Sequence, residues 1–420
     1  MPGRSQGPVP VLLVEDRADR GHGHYAPFIR QLADGFTALG HPVTVLTSVG
    51  LHPDGLGPPT WSIRRYGPVG QGVERLLRRI DRASPGGLGG PRPGSARRRG
   101  AIVRATSLLV LVESRLAARA LGPPGHVAVV ISRGLPPSHV ALAAPVSGHW
   151  ALWCHAAAPH HVAPPGRARA LLSRWAEDLV AARLRARSAR GGRLVLVGSH
   201  PDLTRSWIRR LPALPTGTVG LPVARVEPND DPARAHRQLG LPTGGRLALF
   251  FGAMHPGKAP DAVWSAWCEG TPPPALLVAA GLGVAADFEA WTAQHPGADA
   301  TVPHLIDGEI DEETRRLLFD AADLGVLSFR PEWSGASATL TDFAAHAVPV
   351  CCSSGGASAE LVGAYGLGEV FAAGDPADLA RAVARAGARP EPTGLDAFLA
   401  DHGEGAVAQA VLDLLFPPSP

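Results

Sequence analysis

Lysine is almost absent from this 420-residue chain: Lys258 stands alone beside thirty-nine arginines. A compact ammonium on a flexible stem reaches a single phosphate oxygen in a way that a planar guanidinium does not, so the surviving lysine singles out its position. Cysteine is scarce as well. Cys154, Cys268, Cys351 and Cys352 show no CxxC or metal-ligand spacing. This argues against a disulfide framework or a zinc site and fits small core residues in a reducing, cytoplasmic setting. No stretch approaches the ~20 apolar residues of a membrane span. The opening apolar run VPVLLV is short and followed by acids, so no signal peptide is expected. With 3 Tyr and 11 Phe, the basic regions lack the interleaved aromatics that base stacking uses, and nucleic acid is not an expected partner.

What is abundant is glycine (50), proline (42) and hydrophobic residues (45%), the composition of a globular chain with many short connections. Charge is unevenly spread. Residues 1–220 hold 29 Arg against 11 acids, whereas 221–420 hold 11 Arg plus Lys against 26 acids. A basic N-terminal half suits an anionic or phosphorylated acceptor, or peripheral contact with an anionic membrane surface.

Strand Val9–Val14, helix APFIRQLADGFTALG and strand HPVTVLTS make a βαβ opening, which predicts a parallel, doubly wound sheet. Further strands are expected at His126–Ile131, Trp150–Cys154 and Arg193–Val197. The proline-rich stretch 211–232 reads as a linker. The alternation then restarts, with strands near 246–251, 275–280, 300–305, 323–327, 348–351 and 369–371 and a last helix over 403–416. The expected fold class is α/β with two facing Rossmann-like domains, 1–215 and 216–400, and a C-terminal helix and tail over 401–420.

Three turns of the second half suit anions. RLALFFG (246–252) leads through Gly252 to Lys258 and then to the helical stretch APDAVWSAWCEG, a strand–turn–lysine–helix layout that holds a phosphate against helix-end N–H groups. Ser334–Ser337 (SGAS) precedes a helix that carries Asp342, and Ser353–Gly356 (SSGG) opens the next. Asp342 or Glu332 suits sugar or ribose hydroxyls. Taken singly, each turn is equally a capping motif. In the first half, GHGHY (Gly21, His22, Gly23, His24, Tyr25) joins strand to helix; it falls short of GxGxxG, and no acid closes the second strand, so a nicotinamide or flavin site is not expected.

In order and spacing, these features resemble the retaining, nucleotide-sugar-dependent glycosyltransferases of GT-B fold, especially the large family 4. Gly252, Pro256 and Lys258 match its GR-x-x-P-x-KG turn, with Ala253 in place of the arginine. ValProVal (348–350) sets the register of its E-x7-E pattern, which puts Asp342 at the second glutamate and Ser334 at the first, with Gly335 on the following glycine. Glu332 stands in for the first only with a shifted loop. The stretches DGEIDEETRRLLFDAADLGVLSFRP and GLGEVFAAGDPADLARAVARA look like the flanking family segments, and the resemblance covers 245–388.

The resemblance implies a glycosyltransferase that moves a sugar from an NDP-sugar to a hydroxyl or amine acceptor with retention. The NDP-sugar is co-substrate, and neither a metal nor a further cofactor is implied. Donor contacts are expected from Gly252, Lys258, His304, Leu305, Glu332, Ser334, Gly335, Ser337 and Asp342. Gly21–Tyr25, Trp153 and His155 are expected on the acceptor side, with His155 at a strand end and Lys258 as the catalytic candidates. A non-catalytic sugar-nucleotide-binding partner of another transferase, and an NDP-sugar epimerase, are the alternatives. Departure from the family arginine at Ala253 and the family glutamate at Ser334 favours weighing the first.

Overall fold

The computed structural model describes residues 7–14, 25–47, 62–68, 71–72, 109–132, 147–154, 179, 181–210, 212–227, 231–269, 273–299, 303–331, 333, 335, 337–387 and 392–417. They form two compact units. One holds the described residues up to Gly220 and those from Glu404 onward; the other spans Leu221–Gly403.

The first unit is built on seven parallel strands: β1 (Val11–Val14), β2 (Val43–Thr47), β3 (Ser62–Arg65), β4 (Ala128–Ile131), β5 (His149–Cys154), β6 (Arg193–Gly198) and β7 (Thr216–Thr218). Their order in the sheet is β3-β2-β1-β4-β5-β6-β7. β1 pairs with both β2 and β4, Val11 opposite Val43 on one side and Ala128 on the other. Helix α1 (Tyr25–Ala38), helical runs α2 over 109–121 and α3 over 181–188, and α4 (Pro201–Arg210) belong to the same unit.

The second unit repeats the plan with β8 (Leu247–Phe251), β9 (Leu276–Gly281), β10 (His304–Asp307), β11 (Leu324–Leu327), β12 (Val350–Ser353) and β13 (Gly368–Phe371), in the order β10-β9-β8-β11-β12-β13. Its helices are α5 (Pro232–Gln238), α6 (Asp261–Cys268), α7 (Val284–Thr292), α8 (Glu312–Ala321), α9 (Ala338–Ala345), α10 (Ala357–Tyr365), α11 (Pro376–Ala386) and α12 (Leu395–His402). Helix starts follow local chemistry. Asp311 accepts from the Thr314 N–H, Asp375 accepts from Asp378 N–H with proline following it, and Ser337 accepts from Leu340 N–H.

Both faces of the second sheet are covered, which is why its strands read as near-continuous apolar runs. Leu247 and Leu249 of β8 join the cluster of Phe319, Phe343 and Phe398, while Ala248 and Phe250 join Trp264, Trp267 and Phe288 on the other side. Each fully buried large side chain contributes about 1.5–3 kcal/mol. The final helix, α13 (Glu404–Leu415), packs on α1 and so is part of the first unit rather than a separate segment. All four cysteines are free and buried, and burial raises the thiol pKa of each, to about 12 for Cys154 and Cys352. Among the described residues no helix is long and apolar enough to cross a membrane.

Three differences from the sequence expectation have physical causes. β3 (SIRR) and β7 (TGT) carry no apolar alternation, and both are edge strands, so pattern alone misses them. β7 lies inside the 211–232 stretch expected to be linker. β10 begins at His304 instead of near residue 300, which places His304 at its amino end and Asp307, opposite Gly281, at its carboxyl end.

Candidate functional site

In each sheet the strand order reverses beside its first strand, between β1 and β4 and again between β8 and β11. The crevice outside the carboxyl ends at such a reversal is where open α/β sheets take ligands. At the second reversal the loop leaving β8 and the described residues of the loop leaving β11 are laced together. Lys258 and Phe329 form an isolated antiparallel bridge. Arg330 N–H donates to Gly257 O (2.9 Å), Ala259 N–H to Ser328 O (3.1 Å), and the Ser328 hydroxyl to Ala259 O (2.5 Å). Ser353 at the end of β12 adds a third tie: its hydroxyl accepts from Phe329 N–H at 2.8 Å and donates to Phe329 O at 3.1 Å.

Gly252 ends β8 with φ +105, a conformation glycine adopts without strain. The space a side chain would take there is bounded by the Lys258 ammonium and the Thr339 hydroxyl, 3.3 and 3.8 Å from an ideal Cβ. Lys258 is 6% exposed. Its Nζ donates to Phe251 O at 2.6 Å and Gly252 O at 3.0 Å, and it lies 4.6 Å from the centroid of the Phe250 ring. Burial pushes its pKa down to about 7, and Asp287 opposes that shift; Asp287 is itself fixed by the Trp264 indole N–H at 3.0 Å. The ammonium has three N–H donors and two carbonyl acceptors, which leaves one for a ligand.

The turn is braced by an aromatic pair. His255 Nδ1 accepts from Gly257 N–H at 3.0 Å, and its ring lies 4.8 Å from that of Trp333. Burial and then the neighbouring Lys258 charge lower the His255 pKa. The Trp333 indole is wedged between Gly257 and Gly335, where a Cβ at either position would overlap the ring. This close approach explains why both residues are glycine, and it joins the β8 turn to the loop before α9.

Helix α9 supplies the remaining polarity. Ser337 is its N-cap, its hydroxyl accepting from Leu340 N–H at 3.3 Å; the Ala338 and Thr339 N–H groups have no intrahelical acceptor, and the Thr339 hydroxyl lies beside Gly252. Asp342 lies in the second turn of α9. Its carboxylate is held by Arg315 of α8, both side chains largely buried, and Arg315 in turn lies over the Phe319 ring. His346 follows on α9 and contacts Asp320 at 3.1 Å; burial lowers its pKa, against the pull of Asp320 and Asp342.

Of the candidate residues, Gly252, Lys258, Gly335, Ser337 and Asp342 fall on the loops and helix at this strand reversal. His304 and Leu305 do not; they sit in the amino half of β10, and Leu305 packs into the apolar cluster beneath α6. The sequence placed that strand a few residues early, which carried both residues to the wrong end. Ala253 is exposed and brings no charge. Glu332, Ser334, Gly21, His22, Gly23, His24 and His155 lie outside the described residues, as does the side chain of Tyr25. Trp153 is fully buried and meets Phe28 edge-on at 5.0 Å, which places it in the core of the first unit. His255, Thr339, Arg315, Arg330 and Trp333 were not singled out from the sequence. Only Trp333, beside the SGAS turn between two glycine-bearing loops, had a signal to follow.

No family model and no curated protein matches this sequence. Solved structures do match the fold along nearly its whole length. Sucrose-phosphate synthase from Thermosynechococcus elongatus aligns at 17% identity and TM-score 0.59, covering 97% of this chain and 95% of that one. HepE of Anabaena, solved in complex with UDP and glucose, aligns at 12% and 0.58, covering 97% and 99%. The N-terminal domain of trehalose-6-phosphate phosphatase from Candida albicans aligns at 12% and 0.63, covering 99% and 98%. With two parallel sheets in the strand orders described, the chain has the GT-B fold.

Proposed function

We propose that this protein is a glycosyltransferase whose second unit binds an NDP-sugar at the β8–β11 reversal. The observation that carries the proposal is the convergence of the Lys258 ammonium, the Thr339 hydroxyl and the open N-terminus of α9 around the glycine turn at Gly252. The HepE complex with UDP and glucose and the sucrose-phosphate synthase structure, on the same fold, support a nucleotide-sugar donor.

Departure of the nucleoside diphosphate builds negative charge where these groups lie, and pre-positioned donors stabilise that charge without reorganising. Lys258 contributes most when charged. A diphosphate beside it opposes the burial penalty and draws its pKa back up. Arg330, exposed and tied through its backbone to Gly257, is assigned the second cation that Ala253 does not provide. Asp342, oriented by Arg315, is assigned the ribose hydroxyls, and Trp333 keeps the Lys258 turn and the α9 loop in register. Glu332, Ser334, Gly335 and Ser337 complete the donor set.

The acceptor is assigned to the first unit, and Gly21–Tyr25 and His155 are the residues proposed to meet it. Retention follows if the acceptor hydroxyl attacks from the face the diphosphate leaves, which needs no side-chain nucleophile. The test is acceptor-dependent release of nucleoside diphosphate, with a panel of NDP-sugars and candidate acceptors. Release only when an acceptor is present supports transfer. Sugar-nucleotide binding without release would instead identify a partner protein, and donor conversion without acceptor an epimerase.

A further inference from the structure

The first unit has a cavity of about 1090 Å³ at the amino ends of its strands, the edge opposite the one where ligands of such sheets usually bind. Pro8–Pro10 before β1, His126 before β4, His149 opening β5 and Arg193 opening β6 form its floor; α3 and the end of α13 form its walls. Its charge is of one sign. Arg185, Arg187, Arg193, His126 and His149 line it, and no described lining residue is acidic. The volume slightly exceeds the roughly 300–1000 Å³ of ordinary small-molecule sites.

The cationic groups are held in place. Arg187 is 1% exposed, and its Nη1 donates to Gly148 O at 2.9 Å. Burial, then Arg183, pushes its pKa down to about 10. The His149 ring lies 4.3 Å from that of Phe416, tilted by 41° to it, and Phe416 closes the wall; His149 Nδ1 is buried with no hydrogen-bond partner among the described residues, as is Arg193 Nε. Burial chiefly, with Arg187, Arg193 and His126, lowers the His149 pKa, against a hydrogen bond that the ring donates to the Leu415 carbonyl. Concentrated positive charge in a concave space, with no described acidic residue beside it, is what an anion relieves.

We propose that this cavity is a second anion site, one that takes a small soluble phosphorylated metabolite through Arg185, Arg187, Arg193 and His149, independently of Lys258. Arg185 is exposed, so its replacement tests the site without threatening the fold. The full-length protein, Lys258→Met and Arg185→Glu are titrated with inorganic pyrophosphate by calorimetry, with unliganded melting curves as folding controls. Binding that survives in Lys258→Met and weakens about tenfold in Arg185→Glu is expected, since charge-assisted contacts to phosphate are the strong ones. Phe416→Ala, which opens the wall, is expected to weaken it further. Three results overturn the proposal: no pyrophosphate binding by the wild type, complete loss in Lys258→Met, or unchanged affinity in Arg185→Glu. Co-sedimentation with phosphatidylglycerol vesicles, without response to pyrophosphate, would assign the arginines to a lipid surface and overturn it equally.

Discussion

The two units share one strand order around their first strand, yet concentrate their described polar chemistry at opposite edges of the sheet. In the second unit the carboxyl-end loops are stitched to each other, and a buried lysine, a helix N-terminus and a hydroxyl converge there. In the first unit the described polar cluster sits at the amino edge and holds arginines and histidines with no acidic residue. A fold therefore offers positions, and local sequence decides which of them carry charge. The units also differ in how charge is buried. The second carries a lysine whose pKa is pushed down to about 7; the first carries Glu404, whose pKa is raised to about 7 by burial and then by Asp34.

The sharpest way to break the comparison is to remove the Lys258 charge while keeping its length. Lys258→Met should reduce donor kcat/KM by about a hundredfold, the loss expected of a pre-positioned charge at a leaving group. Its folding stability should hold or rise at neutral pH, because an apolar isostere avoids the burial penalty. Gly257→Ala comes next. A Cβ there overlaps the Trp333 ring, so a loss of about 1–3 kcal/mol is expected, with weakened donor affinity because the two loops part. Asp342→Asn should raise donor KM about threefold to tenfold, as expected for one charge-assisted hydrogen bond; unchanged KM would mean that the carboxylate serves Arg315 alone.

Two pH effects of opposite sign sharpen the contrast. Lys258 is unprotonated more readily folded than unfolded, so between pH 7 and 10.5 the unfolded chain binds more protons and stability rises with pH. Diphosphate binding, which restores the lysine's charge, should then weaken as pH climbs above 7. Glu404 works the other way: between pH 4.5 and 7 the folded chain holds the extra proton, so its contribution falls as pH rises. Glu404→Gln is expected to raise the melting temperature slightly at pH 8 and not at pH 4; a rise at both would place the effect in packing.

Much of this was legible in the sequence because it is local. Apolar runs of strand length marked β8, β9 and β11, and the glycine after FF marked a turn, which Gly252 makes with φ +105. The sole lysine lay where a strand meets a helix. What was not legible is long-range. That Lys258 would satisfy two carbonyls of its own turn depends on the β11 loop closing over it. Arg315 meets Asp342 across 27 residues of chain, and Trp333 finds its slot only because two glycines from different loops stand on either side of it. The start of β10 at His304 was missed for a simpler reason: VPHLID has no apolar alternation to fix where the strand begins.

The central claim is that the Lys258 turn and the N-terminus of α9 form a diphosphate site. Its most direct test is a calorimetric titration of wild type and Lys258→Met with UDP, GDP, dTDP and ADP. The account predicts that one nucleotide binds the wild type selectively and that this binding is lost in a Lys258→Met protein with an undiminished melting temperature. Equal nucleotide affinity in the two proteins would contradict it.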